Sequence, residues 1–296
     1  MLVYSVPKRH VRVVKAMRDP RHSRILQTLE AFLKLEEPVI IQWLRSLWEN
    51  QQNAVTYGEL RDAILDGVLT IDYLKQWQED YAKLVAEKIA PKWRDAMAEG
   101  AKAQVDAPGF EFDVTTPAVE QWIDDNGAKL VTRISSAQQE GLKAVIHQAA
   151  AGTYGPDELA RVIRPMVGAT ARQTKAAERY YEGLRKDGVR ADEAKKRALN
   201  MIANAHRYRA QNIARTELAQ AFNAGADLAV RQAQSQGYMG EVDKVWLTAD
   251  DERVCDVCGP LDEVRVAQDA TFPGGFAHPT AHPQCRCCVA YEEVDR

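Results

Sequence analysis

The chain has 296 residues, 46% of them apolar and 27% charged, which excludes disorder along its whole length and allows a sizeable core in about two domains. A formal net charge of -3 excludes a polycation built throughout for nucleic acid, although local charge needs separate reading. No stretch reaches the roughly 18 apolar residues of a membrane span. The start, "MLVYSVPKRHVRVVKAMRDPRH", lacks the continuous apolar run of a secretory signal, so a reducing cytoplasm is the expected compartment.

The first two thirds read as successive helices. In "ILQTLEAFLKLEEPVIIQWLRSLWENQQN", Leu29, Phe32, Leu33, Ile40, Ile41, Leu44 and Leu47 recur at helical spacing. Pro38 either kinks this segment or divides it. "TYGELRDAILDG" carries a capping box, Thr56 and Glu59, and Gly67 closes it. A long amphipathic run follows, with Leu74, Trp77, Tyr81, Leu84 and Val85 on one face. "VDAPGFEFDVTTP" is a linker, and Pro117 opens a helix toward Gly152. A short helix is expected in "GPDELARVIRPMVG". Two more are expected in "ARQTKAAERYYEGLRK" and in a very long run that ends at Gly237.

Near residue 240 the texture changes to short alternating runs. "KVWLTA", "EVRVA" and "CRCCVAYEEV" read as strands. The predicted fold is mainly α, with long helices and helical hairpins and a small C-terminal zinc-stapled β module. The predicted units are residues 1–108, 116–240 and 241–296.

All five cysteines lie in the C-terminal stretch. Cys255 and Cys258 form a C-x-x-C, and His282 and Cys285 form an H-x-x-C; each is half of a tetrahedral zinc site. A module this small cannot build a large apolar core, and a structural zinc would supply apparent stability of about 10–16 kcal/mol. If "CRCC" is extended, Cys285 and Cys287 share a side, while Arg286 and Cys288 point to the other. Cys287 is then the alternative fourth ligand, and His278 is a weaker one. A cluster of reduced thiols without metal is the plain alternative. Four good ligands favour a closed structural site over a catalytic one, and no catalytic residue is assigned.

Three stretches are distinctive together: "NIARTELAQAFNAG", "KVWLTADDERVCDVCGPLDEV" and "FPGGFAHPTAHPQCRC". Over about residues 200–292 the chain resembles the phage Mu F-like minor head proteins, the head morphogenesis proteins of tailed phages. Two departures stand out. Such proteins usually carry Gly after the "LD", where Glu263 stands here, and Cys288 is extra.

The resemblance implies a structural, non-enzymatic virion component in multiple copies at the portal vertex. It would act in procapsid assembly and in genome packaging or delivery. Its implied partners are the portal protein, other capsid proteins and packaged DNA, with no membrane in the particle. Its implied locations are the head interior or portal vertex, and the host cytoplasm during assembly.

Arg215, Glu217 and Asn223 on the long helix are expected to tether it to the module, Arg215 or Glu217 through "DDER". Residues 160–215 are locally basic; Arg179, Arg185, Lys186, Lys195, Lys196 and Arg197 are candidates for contact with phosphate or with an acidic portal surface. Trp43, Trp48, Trp77 and Trp93 are candidates for core or docking anchors, and the basic N-terminus for an arm that orders on a partner. Two rival readings remain: a zinc-containing, non-specific DNA-binding protein, and an enzyme or toxin carrying a head-morphogenesis domain.

Overall fold

The structure, a computed structural model, describes residues 18–54, 62, 71–150, 170–249 and 251–294. The Thr56–Glu59 capping box, the short helix of residues 155–168 and the basic arm before residue 18 lie outside the described residues. The side chain of Trp77 does too. Five helices are described: α1 (Pro20–Ala54), α2 (Ile71–Gln104), α3 (Pro117–Ala150), α4 (Ala171–Lys186) and α5 (Ala191–Ser235). Three strands follow: β1 (Val242–Leu247), β2 (Arg265–Ala267) and β3 (Cys288–Glu293). No helix among the described residues is long and apolar enough to cross a membrane.

α1 runs unbroken through Pro38, and α2 through Pro91. α1 starts where Asp19 accepts the Arg21 N–H at 2.7 Å, with Pro20 in the first helical position. At the start of α4, Thr170 and Gln173 form a reciprocal capping box.

α5 is the axis of the molecule. From Ile213 to Val230 it is buried on nearly every side, because α1, α2, α3 and the sheet pack around it. Small residues permit this. A Cβ on Gly100 would lie 2.0 Å from the Phe222 carbonyl oxygen, and one on Gly225 would lie 2.2 Å from Met97 Cα. The backbones of α2 and α5 thus touch where both side chains are hydrogen.

One core runs through α1, α2, α3, α5 and the sheet, including Leu29, Ile40, Trp93, Leu130, Leu218 and Phe222. It crosses all three of the units predicted from sequence. The sheet has the order β2-β1-β3 and is antiparallel, with Lys244 opposite Tyr291 and Val266. Its central strand serves two cores. Val245 and Leu247 join the helical core, while Val242 and Trp246 join a second cluster with Phe272, Cys285, Cys287 and Tyr291. The expectation that the C-terminal module must do without a substantial core is therefore corrected: β1, β3 and Cys288 belong to the main core.

Trp48 and Trp93 are core residues, and Trp43 is partly buried against the same core. His206 stacks on Trp48 at 5.5 Å between ring centroids, and the Arg209 guanidinium lies over the same indole at 5.6 Å. The His206 Nε2 has no hydrogen-bond partner. Burial, and then the charge of Arg209, lower the His206 pKa from 6.5 to about 4, so the ring is neutral in the fold.

The unfolded chain binds this proton more readily than the folded one. Stability associated with the ring is complete above pH 6.5 and falls as pH drops toward 4. By linkage the loss approaches about 3 kcal/mol. Denaturation midpoints of the parent and of His206→Leu, measured between these pH values, should diverge from a flat difference, with the variant losing less stability on acidification.

Candidate metal centre

Two short turns bring the candidate ligands together. In the first, the Cys258 N–H donates to the Cys255 carbonyl at 3.1 Å and lies 3.4 Å from its Sγ; the Gly259 N–H reaches the same carbonyl at 2.8 Å. A single 3₁₀ turn, Gly259–Leu261, then leads the chain away. In the second, the Cys285 N–H donates to the His282 carbonyl at 3.2 Å. Gln284, with φ of 63°, turns the chain between them.

The donor atoms form two triads that share Cys258: Cys255, Cys258 and His282, and Cys258, Cys285 and Cys287. Within each triad they lie within 4.8 Å of one another. Cys258 and Cys285 sulfurs are 3.8 Å apart. Two sulfurs bound to one tetrahedral ion at about 2.3 Å would be about 3.8 Å apart. His282 Nε2 is 3.1 Å from the Cys255 sulfur and 3.2 Å from that of Cys258. Its Nδ1 lies 2.8 Å from the Pro283 carbonyl, which can only accept. Nδ1 therefore carries the hydrogen, and Nε2 offers its lone pair to the thiols, the tautomer a metal needs. This buried Cys/His cluster can hold a metal ion.

The alternation expected for "CRCC" holds although β3 begins only at Cys288. Cys285 and Cys287 enter the small cluster, while Cys288 enters the helical core. A hydrogen bond from Cys287 pulls the Cys285 thiol down to about 5. Burial, then the charge of Cys285, pushes the Cys258 thiol up to about 12. His282 and Cys287 both lie within reach of Cys258, each in a different triad.

The three expected tether residues do different things. Arg215 forms a bidentate pair with Glu37 of α1, at 2.5 and 2.8 Å, and among the described residues of "DDER" it bonds none. Glu217, 1% exposed, accepts from Asn126 at 2.9 Å and from Arg133, both on α3. These two fasten α5 to neighbouring helices. Asn223 alone of the three reaches the module. Its amide donates to the Cys287 carbonyl at 3.2 Å and accepts the Val289 N–H at 2.8 Å.

Sequence reasoning missed the amide that completes this contact. Gln104, the last residue of α2, donates to the Val289 carbonyl at 2.7 Å and accepts the Tyr291 N–H at 3.2 Å. β3 is an edge strand, and these two side-chain amides occupy the positions a further strand would take. Thr216, a signature residue to which the sequence assigns no partner, has one here: its hydroxyl accepts the Gln284 N–H at 3.1 Å, holding the second ligand turn against α5.

Asp251 of the "DDER" segment bridges the two turns. Asp251, four residues before Cys255, takes a bidentate pair from Arg286 at 2.7 Å for each bond, and Arg253 supports it. These guanidinium contacts, Arg286 first, hold the Asp251 carboxyl well below the usual carboxylate range. The "T" of "WLTADD" has a partner too: the Thr248 N–H and hydroxyl both donate to Asp262, at 3.0 and 2.8 Å. Glu263, which replaces the Gly usual in the resembled family, keeps a left-handed backbone with φ of 61°. Its carboxylate pairs with Arg18 at 3.0 Å and with His22 at 3.1 Å.

The basic candidates lie on the hairpin of α4 and the start of α5. Arg179, Arg185, Lys186, Lys196 and Arg197 are exposed, and Lys195 is partly so. Arg197 pairs with Glu193 at 2.8 Å, and Arg185 donates to the Val189 carbonyl at 2.7 Å. Tyr180 and Tyr208 are exposed on the same two helices.

A family model described as Phage Mu protein F like protein matches residues 140–290, just over half of the chain, and the chain belongs to that family of phage head morphogenesis proteins. The matched residues include α4, α5, β1, β2, the first three residues of β3 and every candidate metal ligand. No curated protein and no solved structure matches the chain.

Titration of the reduced protein with Cd²⁺, followed by thiolate-to-metal absorption, should saturate at one ion per chain. Cys258→Ser should abolish the signal, and Cys288→Ser should keep it. Asn223→Asp places a second acceptor against the Cys287 carbonyl. It should cost about 2 kcal/mol in chemical denaturation while leaving ion stoichiometry unchanged.

Proposed function

We propose that this chain is a structural, non-enzymatic minor head protein at the portal vertex. It takes part in procapsid assembly and in genome packaging or delivery, in several copies around the portal. Membership of the Phage Mu protein F like family carries this reading. In it, one zinc ion bound by Cys255, Cys258, His282 and Cys285 closes the C-terminal module, with Cys287 as the alternative to His282. Three thiols and an imidazole suit zinc, and a full tetrahedral set leaves no coordination position for a substrate.

A closed metal set is consistent with a staple rather than a reactive centre. The two ligand turns are also joined by the Asp251–Arg286 pair and fixed to α5 through Thr216 and Asn223. The exposed cations on α4 and α5 favour a second, compatible contact with packaged DNA through phosphates. That contact would be sequence-independent.

Co-expression with the portal protein of the same phage tests the assignment. The two should co-purify at moderate salt, and assembled heads should contain the chain. Absence from purified heads, together with duplex-DNA binding that weakens steeply with salt and needs no portal, would replace it with the non-specific DNA-binding reading.

A further inference from the structure

A groove runs along α1 where it faces α5 and the segment before Cys255. Its larger part encloses about 660 Å³ and is lined by α1 and Arg18 before it, as far as Ile41, with Gln211, Arg215, Asp251, Arg253 and Arg286. A second concavity of about 390 Å³ shares Pro38, Ile41 and Gln211 with it and continues to Glu49. From Ser23 to Glu49 the lining follows α1 for about 40 Å at the helical rise. This is the shape of a site for a length of polypeptide, not for a small molecule.

The lining has a consistent chemistry. Leu26, Leu33 and Ile41 give it an apolar strip. Beside the sheet, Arg253 and Arg286 share the single carboxylate of Asp251. In the middle, Lys34 and Arg215 accompany Glu37. At the far end, Arg45 and Arg207 accompany Glu49. Each section thus has two cations to one carboxylate, and the remaining lining charges, Arg18 and Glu30, offset one another. The groove is net positive on a chain whose net charge is -3. Pro38 also has no N–H to offer the Lys34 carbonyl, so a helical acceptor on this lining lacks its usual donor.

We propose that this groove is a docking site for an acidic, amphipathic segment of a partner protein, with leucine-like side chains on the Leu26–Leu33–Ile41 strip and carboxylates on the flanking cations. Charge complementarity selects an acidic occupant. The apolar strip and the interspersed carboxylates select polypeptide over nucleic acid, because a phosphate backbone would gain nothing from the strip and be repelled by Glu30 and Glu49. The site uses none of the basic candidates on the α4–α5 hairpin, and its chemistry does not depend on the portal assignment.

The test uses the full-length protein and synthetic probes, with no virion component. The first probe is a fluorescent peptide of Leu and Glu at helical spacing, about 26 residues long to match the groove. The others are its Lys-for-Glu counterpart, a Ser-for-Leu counterpart and a short duplex DNA. Fluorescence anisotropy should show the Leu/Glu peptide binding at least about tenfold tighter than either counterpart. The variant Lys34→Glu/Arg45→Glu/Arg207→Glu alters exposed side chains only, and should weaken that binding by about tenfold or more. Its denaturation midpoint reports that folding is intact. A photocrosslinker at Gln211 should label the Leu/Glu peptide. Unchanged peptide affinity in the triple variant would overturn the proposal, as would duplex DNA competing the peptide away from the Gln211 crosslinker.

Discussion

The contact on which the C-terminal architecture depends is the capping of β3 by two side-chain amides. An edge strand presents backbone donors and acceptors that must find water or a partner. Here the carbonyls of Cys287 and Val289 and the N–H groups of Val289 and Tyr291 are met by Asn223 and Gln104. Each amide supplies one donor and one acceptor, as a peptide group would. The two come from α5 and α2, so the strand is aligned against the bundle at both points. The ligand segment just before β3 inherits that alignment.

This arrangement changes the role a metal has to play. A small module with thiols and no core would be unfolded without its ion. The observed module has a layer of its own, with Trp246 against Phe272 at 5.1 Å, and a sheet whose other face completes the helical core. The Asp251–Arg286 pair also links the two ligand turns independently of any ion. An ion bound at the shared Cys258 vertex would therefore order the outer turns on a sheet already supported from below. Metal removal should be felt most between Val254 and Cys285, and least in β1.

The sequence made the helices legible because their apolar spacing is regular, and it made the donor set legible because C-x-x-C and H-x-x-C leave few other uses. It also gave the facing of Cys285, Cys287 and Cys288, since an extended backbone alternates whether or not hydrogen bonds define a strand. What it concealed were contacts distant along the chain. Nothing near Arg215 announces Glu37, 178 residues away, and nothing near Gln104 announces Val289. The nearer "DDER" drew the expectation for Arg215 and Glu217, but both are consumed inside the bundle. Asn223 was flagged by its place in the signature, yet only the sheet edge explains why an amide is needed there. The continuous core was hidden for a related reason: α5 is buried on almost all sides, so its apolar and small residues show no single face.

Glu263 shows how the matched and unmatched parts of the chain are joined. A residue with a Cβ in a left-handed turn costs about 1 kcal/mol relative to Gly. Keeping φ at 61° with Glu gives a carboxylate that reaches Arg18 and His22 at the start of α1. Arg18 also bonds Asp262 at 2.5 Å and the Thr248 carbonyl at 2.7 Å, and His22 bonds Glu292 at 2.6 Å. Further along, Arg215 holds Glu37. The helix preceding the matched residues 140–290 is thus clamped to them at two places, both through charged groups that the family-matched region supplies. The groove runs along α1 from the first clamp past the second to Glu49. A turn that carried Gly would be less strained, but it would lose one of the fastenings that set the position of α1 and hence the width of that groove at its sheet end.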